Sequence, residues 1–548
     1  MRNLSSSEVA SVSKTIESLT GNKDVIAACA YGSQIAGYAN ADSDYDLILV
    51  KKPFHQKIKY YYLKGEVDCS VLVVDPKSFE NDCRKSTLGE FVSGRLLNPY
   101  FPTLGAEFLK ELETEYKKRV ILEGLSQAYV SYGEFASEII FPLRYFLFQK
   151  LKKRAAIYPP VVYSYSKTYS DDLCDGNLAN SLSGFMIAAE QLQQEKIISF
   201  DRNLNEIRIS PRNFRAGFSA RIEAAASFTS KSLKQYAVHG YAARVRPNVV
   251  GREVLSKISR SRKSGKLPDK IQNPKKEWRL PMGKLFISSK DWLYDLEEYL
   301  GIDNRVAKVT ENSSGEFYTS AGFYTIEDKN ENKVTIAVKR FKDAKGMKWG
   351  VLSLWSLKNA NFTANSTERL YREFRASHEL RNFGLSTPDV IAVFLPQWMT
   401  VTRFVPGRDL SKVESEFLNG NSENIAPLYQ FGRDLAIMHN NEYCMGDTKP
   451  SNVIFSDADS KIYFVDLEQA SPDGNKTWDV AEFIYYSVRF TLKEDRARKL
   501  VNSFVEGYLS RAEDSSVLEN TADLRYTAPF QAFIAPNVLN AVKRDLIH

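Results

Sequence analysis

Along the chain, apolar positions change period several times, and each change predicts an element. Ser5-x-x-Glu8 has the form of a capping box and opens a helix. Short, nearly continuous apolar runs over 25–31, 47–50 and 66–74 read as strands. Helical spacing takes over across 107–125 and 132–153, where Phe141, Tyr145 and Phe148 share a face, and again across 178–196. Residues 197–210 read as a hairpin around Asn203-Leu204-Asn205, and a long helix is expected over 215–243. Between 244 and 284 the periodicity stops: thirteen Lys or Arg face three acids, and Gly251, Gly265, Pro268 and Pro274 interrupt the run, as in a linker. Beyond it come a helix over 289–300, a strand over 334–338, a helix over 367–380, strands over 385–393 and 398–406, a helix over 427–439 with Leu428, Phe431, Leu435 and Met438 on one face, and a strand over 462–465. This order predicts an α+β multidomain chain: a mixed-sheet domain over 1–120, a helical domain over 121–243, a basic linker over 244–287 and a second α+β domain over 288–548.

Composition adds limits. With 548 residues, 43% hydrophobic and 26% charged, the chain is ordinary globular material for several domains. The net charge of +7 is mild, and its concentration in the linker leaves both a solvated spacer and an RNA-contacting strip open. Five scattered cysteines without a CxxC, and five dispersed histidines, argue against structural zinc and for reduced thiols in a cytoplasmic protein. The polar amino terminus has no signal-peptide core, and the run Ile139–Phe148, interrupted by Arg144, is too short to span a membrane. The tyrosines Tyr158, Tyr163, Tyr165 and Tyr169 suit either base stacking or packing.

Two constellations carry chemistry. In the stretch Cys444–Gln469, Asp447 and Asn452 are separated by four residues, and Asp466 follows at the end of the apolar run Ile462–Val465. Upstream, Lys339 closes a predicted strand and Glu373 lies in a predicted helix. Phosphoryl transfer from ATP needs such a set: a lysine on the phosphates, an acid to hold it, a carboxylate for the acceptor hydroxyl, and an amide with a carboxylate for Mg²⁺. Near the amino end, the strand over 25–31 runs into Gly32-Ser33, and ten residues later Asp44-Tyr45-Asp46 opens the next strand. Side chains two apart on a strand share a face, which puts Asp44 and Asp46 together. Asp68 is expected inside the third strand, where an acid needs a cation. Asp42 reads as a loop residue. Three convergent carboxylates suit two Mg²⁺ ions around attack on a nucleotide α-phosphate.

The first set resembles the protein-kinase superfamily, nearest to its small atypical branch: the RIO type and the kinase of the tRNA threonylcarbamoyl-adenosine machinery. Lys339, Glu373, Asp447, Asn452, Asp466 and Asp479 match its pattern over 305–485. The resemblance implies a two-lobed fold, catalysis by Asp447 and Lys339, Mg²⁺ on Asn452 and Asp466, and nucleotide contacts from Lys339, Glu373, Lys449 and a hinge at Arg403 and Val405. The glycine-rich loop is reduced to Ser313-Ser314-Gly315, Met445-Gly446-Asp447 and Asp466-Leu467-Glu468 replace the usual triplets, and no Ala-Pro-Glu follows. The second set resembles the polymerase-β-type nucleotidyltransferase superfamily. That implies phosphate binding at Gly32 and Ser33, metal binding by Asp44, Asp46 and Asp68, and help from Asp68 in deprotonating the nucleophile. Together these imply a bifunctional transferase using Mg²⁺ and ATP or another nucleoside triphosphate, with a protein hydroxyl or an RNA, tRNA included, as acceptor. Two alternatives stay open: a small-molecule (antibiotic-type) nucleotidyl- or phosphotransferase, and a regulatory ATP-binding module with one inactive head.

Overall fold

The computed structural model describes residues 2–20, 24–211, 214, 267–273, 277–302, 308–312, 321–327, 333–341, 363, 365–472 and 474–547. The chain is of mixed α and β composition and divides into two compact units, Met1–Lys276 and Glu277–His548. The helix expected over 215–243, residues 244–266 and 274–276 of the linker, and Ser313-Ser314-Gly315 lie outside the described residues.

The first unit is built on a sheet of β1 (Val25–Tyr31), β2 (Tyr45–Lys51), β3 (Ile58–Leu63), β4 (Cys69–Val74) and β5 (Phe101–Leu104), in the order β3-β4-β2-β1-β5. Only the β2–β4 pair is parallel; its register sets Asp46 beside Ser70. Helix α1 (Ser6–Thr20) buries Val12 and Ile16 against Ala28, Ala30, Leu47, Leu49, Val71 and Val73. These residues alternate along their strands with Cys29, Ile48 and Leu72, so the opposite face is apolar too. That face turns acidic where β2 and β4 begin.

β1 leads through Gly32 into the one-turn helix α2 (Ser33–Ala36). Helix α3 (Pro76–Lys85) starts where Asp75 accepts from the Ser78 amide with Pro76 behind it, a favoured N-terminus. Next comes α4 (Ala106–Tyr132), a continuous helix of 27 residues. The domain boundary expected at residue 120 therefore falls inside one helix, whose buried Leu112, Tyr116 and Val120 bind both sides of that boundary into one unit. Helix α5 (Leu143–Ile157) begins eleven residues later than the periodicity suggests, because Pro142 lacks an amide hydrogen and starts the helix. Helices α6 (Val161–Thr168) and α7 (Cys174–Gln194) follow, then the expected hairpin, Ile198–Asp201 with Glu206–Ile209. Tyr165 and Tyr169 are buried, with hydroxyls bonded to Arg154 and to Ser181 and Asn98, so both are packing residues.

The second unit opens with β6 (Glu277–Arg279) and β7 (Lys284–Phe286). Both lie in the stretch expected to be linker, yet β7 pairs in parallel with β11 (Val390–Phe394), and Trp278 and Leu285 are buried. Basic residues alternate here with apolar ones that need a sheet to cover them. Helix α8 (Trp292–Leu300) comes next, capped by Asp291. The sheet also holds β8 (Lys308–Asn312), β9 (Ala321–Glu327), β10 (Lys333–Arg340) and β12 (Met399–Arg403), in the order β8-β9-β10-β12-β11-β7-β6. Pro388 delays β11, which begins at Val390 rather than at the expected residue 385.

Helix α9 (Ser366–Asn382) precedes β11. After β12 come α10 (Leu410–Asn419), α11 (Ala426–Asn440), β13 (Val453–Ser456), β14 (Lys461–Phe464), α12 (Lys476–Ser487), α13 (Glu494–Leu509) and α14 (Pro536–Ile547). Their core, with Phe431, Phe483 and Phe504 at its centre, is continuous from Ala376 to Leu546.

Candidate functional site

In the second unit, antiparallel pairing with β12 sets Lys339 opposite Thr400 near the end of β10. Its ammonium lies 2.9 Å from Glu373 Oε2 of α9 and 3.2 Å from Glu468 Oε2, and it is ion-paired with Asp466. Arg369, one turn before Glu373, grips both Glu468 oxygens at 2.6 and 2.7 Å. Burial works against the charge on Lys339, but Asp466, Glu373 and Glu468 hold its pKa above the usual lysine range. Burial pushes Glu373 up to about 7, with Lys339 opposing. Burial also works to raise Asp466, yet Lys339, Lys449 and Arg369 together keep it below its ordinary value. One carboxylate thus feels both lysines.

Asp466 sits just past β14 at φ 55°, ψ 51°, a left-handed conformation that costs a non-glycine residue about 1–3 kcal/mol. The turn points this acid at Lys339 rather than along the strand.

The segment Met445–Asn452 is held from below by α12. Asp479, whose side chain is 1% exposed, accepts from the Met445 amide at 2.6 Å and the Gly446 amide at 2.9 Å, with His439 Nε2 at 3.2 Å. Gly446 has φ +77°, and a Cβ there would lie 2.6 Å from the Gln469 carbonyl oxygen. Beyond it, Asn452 donates to the Asp447 carbonyl (3.0 Å) and Oδ2 (3.2 Å), while Lys449 Nζ lies 2.5 Å from Oδ1. Glu482, buried one turn past Asp479, accepts from the Thr448 amide at 2.8 Å. Burial, then the Asp447 charge, holds its carboxyl well above the carboxylate range.

His439, Cys444 and Asp479 present donor atoms within 4.8 Å of one another. Asp479 already serves two amides, His439 Nδ1 is 2.8 Å from the Tyr508 hydroxyl, and burial holds the Cys444 thiol far up. These bonds anchor the loop to α11, α12 and α13.

A cavity of about 490 Å³ opens beside Pro450 and Ser451, between α10 and the turn after α12. Glu414 lines it, bonded by the Ser487 hydroxyl at 2.6 Å and pushed by burial to about 8. Arg489, stacked 4.0 Å over the Tyr486 ring, and the exposed Phe490 form another wall.

The expected adenine hinge lies past β12. There the Arg403 amide donates to the Asp389 carbonyl (2.8 Å) and the Phe404 amide to Thr335 (3.0 Å). Arg403 itself is exposed, with Nε 3.7 Å from Asp389 Oδ2. Half-buried Val405 is thus better placed than Arg403 to offer a backbone amide.

In the first unit, pairing sets Tyr31 opposite Asp46 across β1–β2, and Asp46 beside Ser70 across β2–β4. Asp44, two residues before Asp46, accepts from the Ser70 hydroxyl. Asp68 is not inside a strand, as expected, but just before β4 and exposed; its carbonyl accepts from the Tyr45 amide at 2.9 Å. The bend at Gly65-Glu66-Val67 delays the strand, and solvent removes the need for a buried cation. Burial, then Asp44 and Asp68, push the Cys69 thiol up to about 11, so both carboxylates bear on one atom. Neither Asp44 nor Asp68 has a Lys or Arg partner among the described residues. Gly32, at φ +79°, lies against Asp46, and a Cβ there would come within 3.1 Å of its Cγ, so only glycine permits this approach. Ser33 follows at the start of α2, half-buried.

The carboxylates of Asp44, Asp46 and Asp68 are hard-oxygen donors of the kind Mg²⁺ takes, and Asn452 with Asp466 offers the same donor type at the second site. Sequence reasoning missed Glu468, Glu482 and Glu414. The first stands two residues past Asp466 and the second one helical turn past Asp479, but that spacing alone does not tell an inward acid from a solvated one. No protein-family model and no curated protein matches the chain.

Proposed function

We propose that the chain is a two-site, nucleoside-triphosphate-dependent transferase, passing a phosphoryl group at the Lys339–Asp466 site and a nucleotidyl group at the Asp44–Asp46–Asp68 site. The observation that carries this reading is the joining of Lys339, Glu373, Asp466, Asp447 and Asn452 into one charged cluster through Lys449. No single hydrogen-bonded turn would need all five.

At the second-unit site, Lys339 takes the phosphates of ATP and Glu373 keeps that lysine aimed. Asp447 orients an acceptor hydroxyl and receives its proton as the oxygen bonds to the γ-phosphorus and the bond to the bridging oxygen breaks, releasing ADP. Lys449 steadies Asp447. Mg²⁺, held by Asn452 and Asp466, would neutralise phosphate charge. Val405 supplies the adenine contact. The open groove past Ser451 suits a macromolecular acceptor, a protein hydroxyl or an RNA, tRNA included.

At the first-unit site, Asp68 takes the proton of the nucleophile, whose oxygen bonds to the α-phosphorus as pyrophosphate leaves. Asp44 and Asp46 would hold the metal. Gly32 and Ser33 let the phosphates approach the sheet end. Five buried, unpaired cysteines agree with a reducing, cytoplasmic setting, and among the described residues no helix is long and apolar enough to cross a membrane.

ATP labelled at the α- or γ-position, incubated with the full chain and total RNA, tests both halves. Asp44→Ala with Asp46→Ala is expected to abolish α-label transfer and spare γ-label transfer; Asp447→Ala is expected to do the reverse. Absence of transfer from both positions, to protein and to RNA, overturns the reading.

A further inference from the structure

Among the described residues of the first unit, Lys117, Arg119, Lys150 and Arg154 are sheltered cations with carboxylate partners, Lys117 with Glu113. Arg119 meets Glu90 at 3.0 Å and Glu123 at 2.9 Å, Lys150 meets both at 2.7 Å, and Arg154 lies 3.4 Å from Glu90. Arg95, half-buried, has no carboxylate partner among the described residues. Its Nε donates to the Tyr31 hydroxyl at 2.9 Å and one terminal nitrogen to the Tyr60 hydroxyl at 2.5 Å. Its guanidinium stacks 4.6 Å from the Phe91 ring centre and 5.3 Å from that of Tyr31. The other terminal nitrogen has no hydrogen-bond partner among the described residues. A half-buried guanidinium with no counter-charge is costly, and such a charge is ordinarily matched by an anion.

The sheet says where the anion belongs. Tyr31 is the register partner of Asp46, and Tyr60 projects from β3 on the same face, two residues from Tyr62, which pairs with Ser70. Burial, with Asp46 adding to it against Arg95, pushes the Tyr31 phenol well up, so Arg95, Tyr31 and Asp46 form one electrostatic neighbourhood. The segment carrying Arg95 is fixed as well. Asp82, fully buried on α3, accepts from the amides of Leu88 (2.9 Å), Glu90 (3.0 Å), Val92 (3.2 Å) and Ser93 (2.9 Å). A planar, charged fork is thus held rigidly one tyrosine ring away from the aspartates.

We propose that Arg95 is a phosphate-binding residue of the first-unit site, receiving the β- and γ-phosphates of the nucleoside triphosphate and the pyrophosphate that leaves. This rests on the nucleotidyl-transfer reading of that site. The fork would make two charge-assisted bonds to phosphate oxygens, while the tyrosines supply orientation without competing for charge.

The test uses the full chain with Lys339→Met, which removes the lysine of the second site, and inorganic tripolyphosphate as probe, titrated calorimetrically with and without Mg²⁺. Arg95→Gln is expected to weaken tripolyphosphate binding about 10- to 100-fold, the loss of charged hydrogen bonds. Arg95→Lys, which keeps the charge and guards against misfolding, should lie between. In α-label transfer with Lys339 intact, Arg95→Gln should raise KM for the triphosphate and weaken product inhibition by pyrophosphate in parallel. If α-label transfer occurs but both variants bind tripolyphosphate within twofold of the parent, the Arg95 assignment is overturned while the site's reading stands. If no α-label is transferred and Asp44→Ala leaves tripolyphosphate binding in Mg²⁺ unchanged, the reading of the site fails instead.

Discussion

Asp479 offers a perturbation whose size can be worked from its contacts. It is 1% exposed at the side chain and receives two backbone amides, from Met445 at 2.6 Å and Gly446 at 2.9 Å. Asp479→Ala would leave both donors buried without acceptors, about 1–3 kcal/mol each, or ~2–6 kcal/mol together. Asp479→Asn keeps the volume but offers one acceptor oxygen, so one amide loses its bond and faces an NH₂ group, a loss of about 2–3 kcal/mol. Against a typical domain stability of about 5–15 kcal/mol, alanine would bring the second unit near its limit and asparagine would leave it folded. All six tryptophans lie at or beyond residue 278, so tryptophan fluorescence in a urea titration reports the second unit alone. Asp479→Asn should also depress γ-label transfer well below the melting range, since the loop carrying Asp447 loses a support, while α-label transfer continues. A fluorescence midpoint for Asp479→Ala equivalent to less than about 0.5 kcal/mol of destabilisation would refute this account of the anchor.

Two further outcomes follow from single residues. Gly32→Ala combines a φ of +79° with a collision against Asp46, so it should destabilise the first unit by about 1–3 kcal/mol and abolish α-label transfer, leaving tryptophan fluorescence unfolding unchanged. Glu414, raised by burial from 4.5 to about 8, binds its proton more tightly folded than unfolded. Its contribution to stability is therefore present below about pH 4.5 and is lost as pH rises toward 8, with a slope of up to about 1.4 kcal/mol per pH unit. Glu414→Gln keeps an acceptor for Ser487 and should flatten that slope in urea titrations at pH 5 and pH 8; an unchanged slope would exclude Glu414 as its source.

How far the sequence carried depended on the range of the interactions involved. β1 runs from Val25 to Tyr31, as its apolar run predicts, because hydrophobic periodicity and a terminal glycine are local properties. Lys339 and Glu373, separated by 34 residues, were placed as partners from their elements, and they meet at 2.9 Å. Asp68 was drawn into β4 because an apolar run does not mark its own first residue, and the Gly65 bend decides it. The Arg369–Glu468 pair, the Glu482 support and the Asp82 amide cluster were out of reach of periodicity. Each depends on how far a turn or helix rotates a polar side chain inward, and nothing in polar spacing alone distinguishes an inward acid from a solvated one. The β6–β7 pair was hidden by charge: Arg279 and Lys284 stand next to Trp278 and Leu285, which are buried.

The amide cluster around Asp82 has a consequence for sequence change. Residues 86–93 have no ladder of their own; four of their N–H groups converge on two oxygens of one side chain. A surface loop ordinarily absorbs an inserted residue, but here one extra residue would swing the later amides off their target and carry the following guanidinium away from its tyrosines. This stretch should therefore keep its length as strictly as a central strand, and drift in composition only at side chains that face outward.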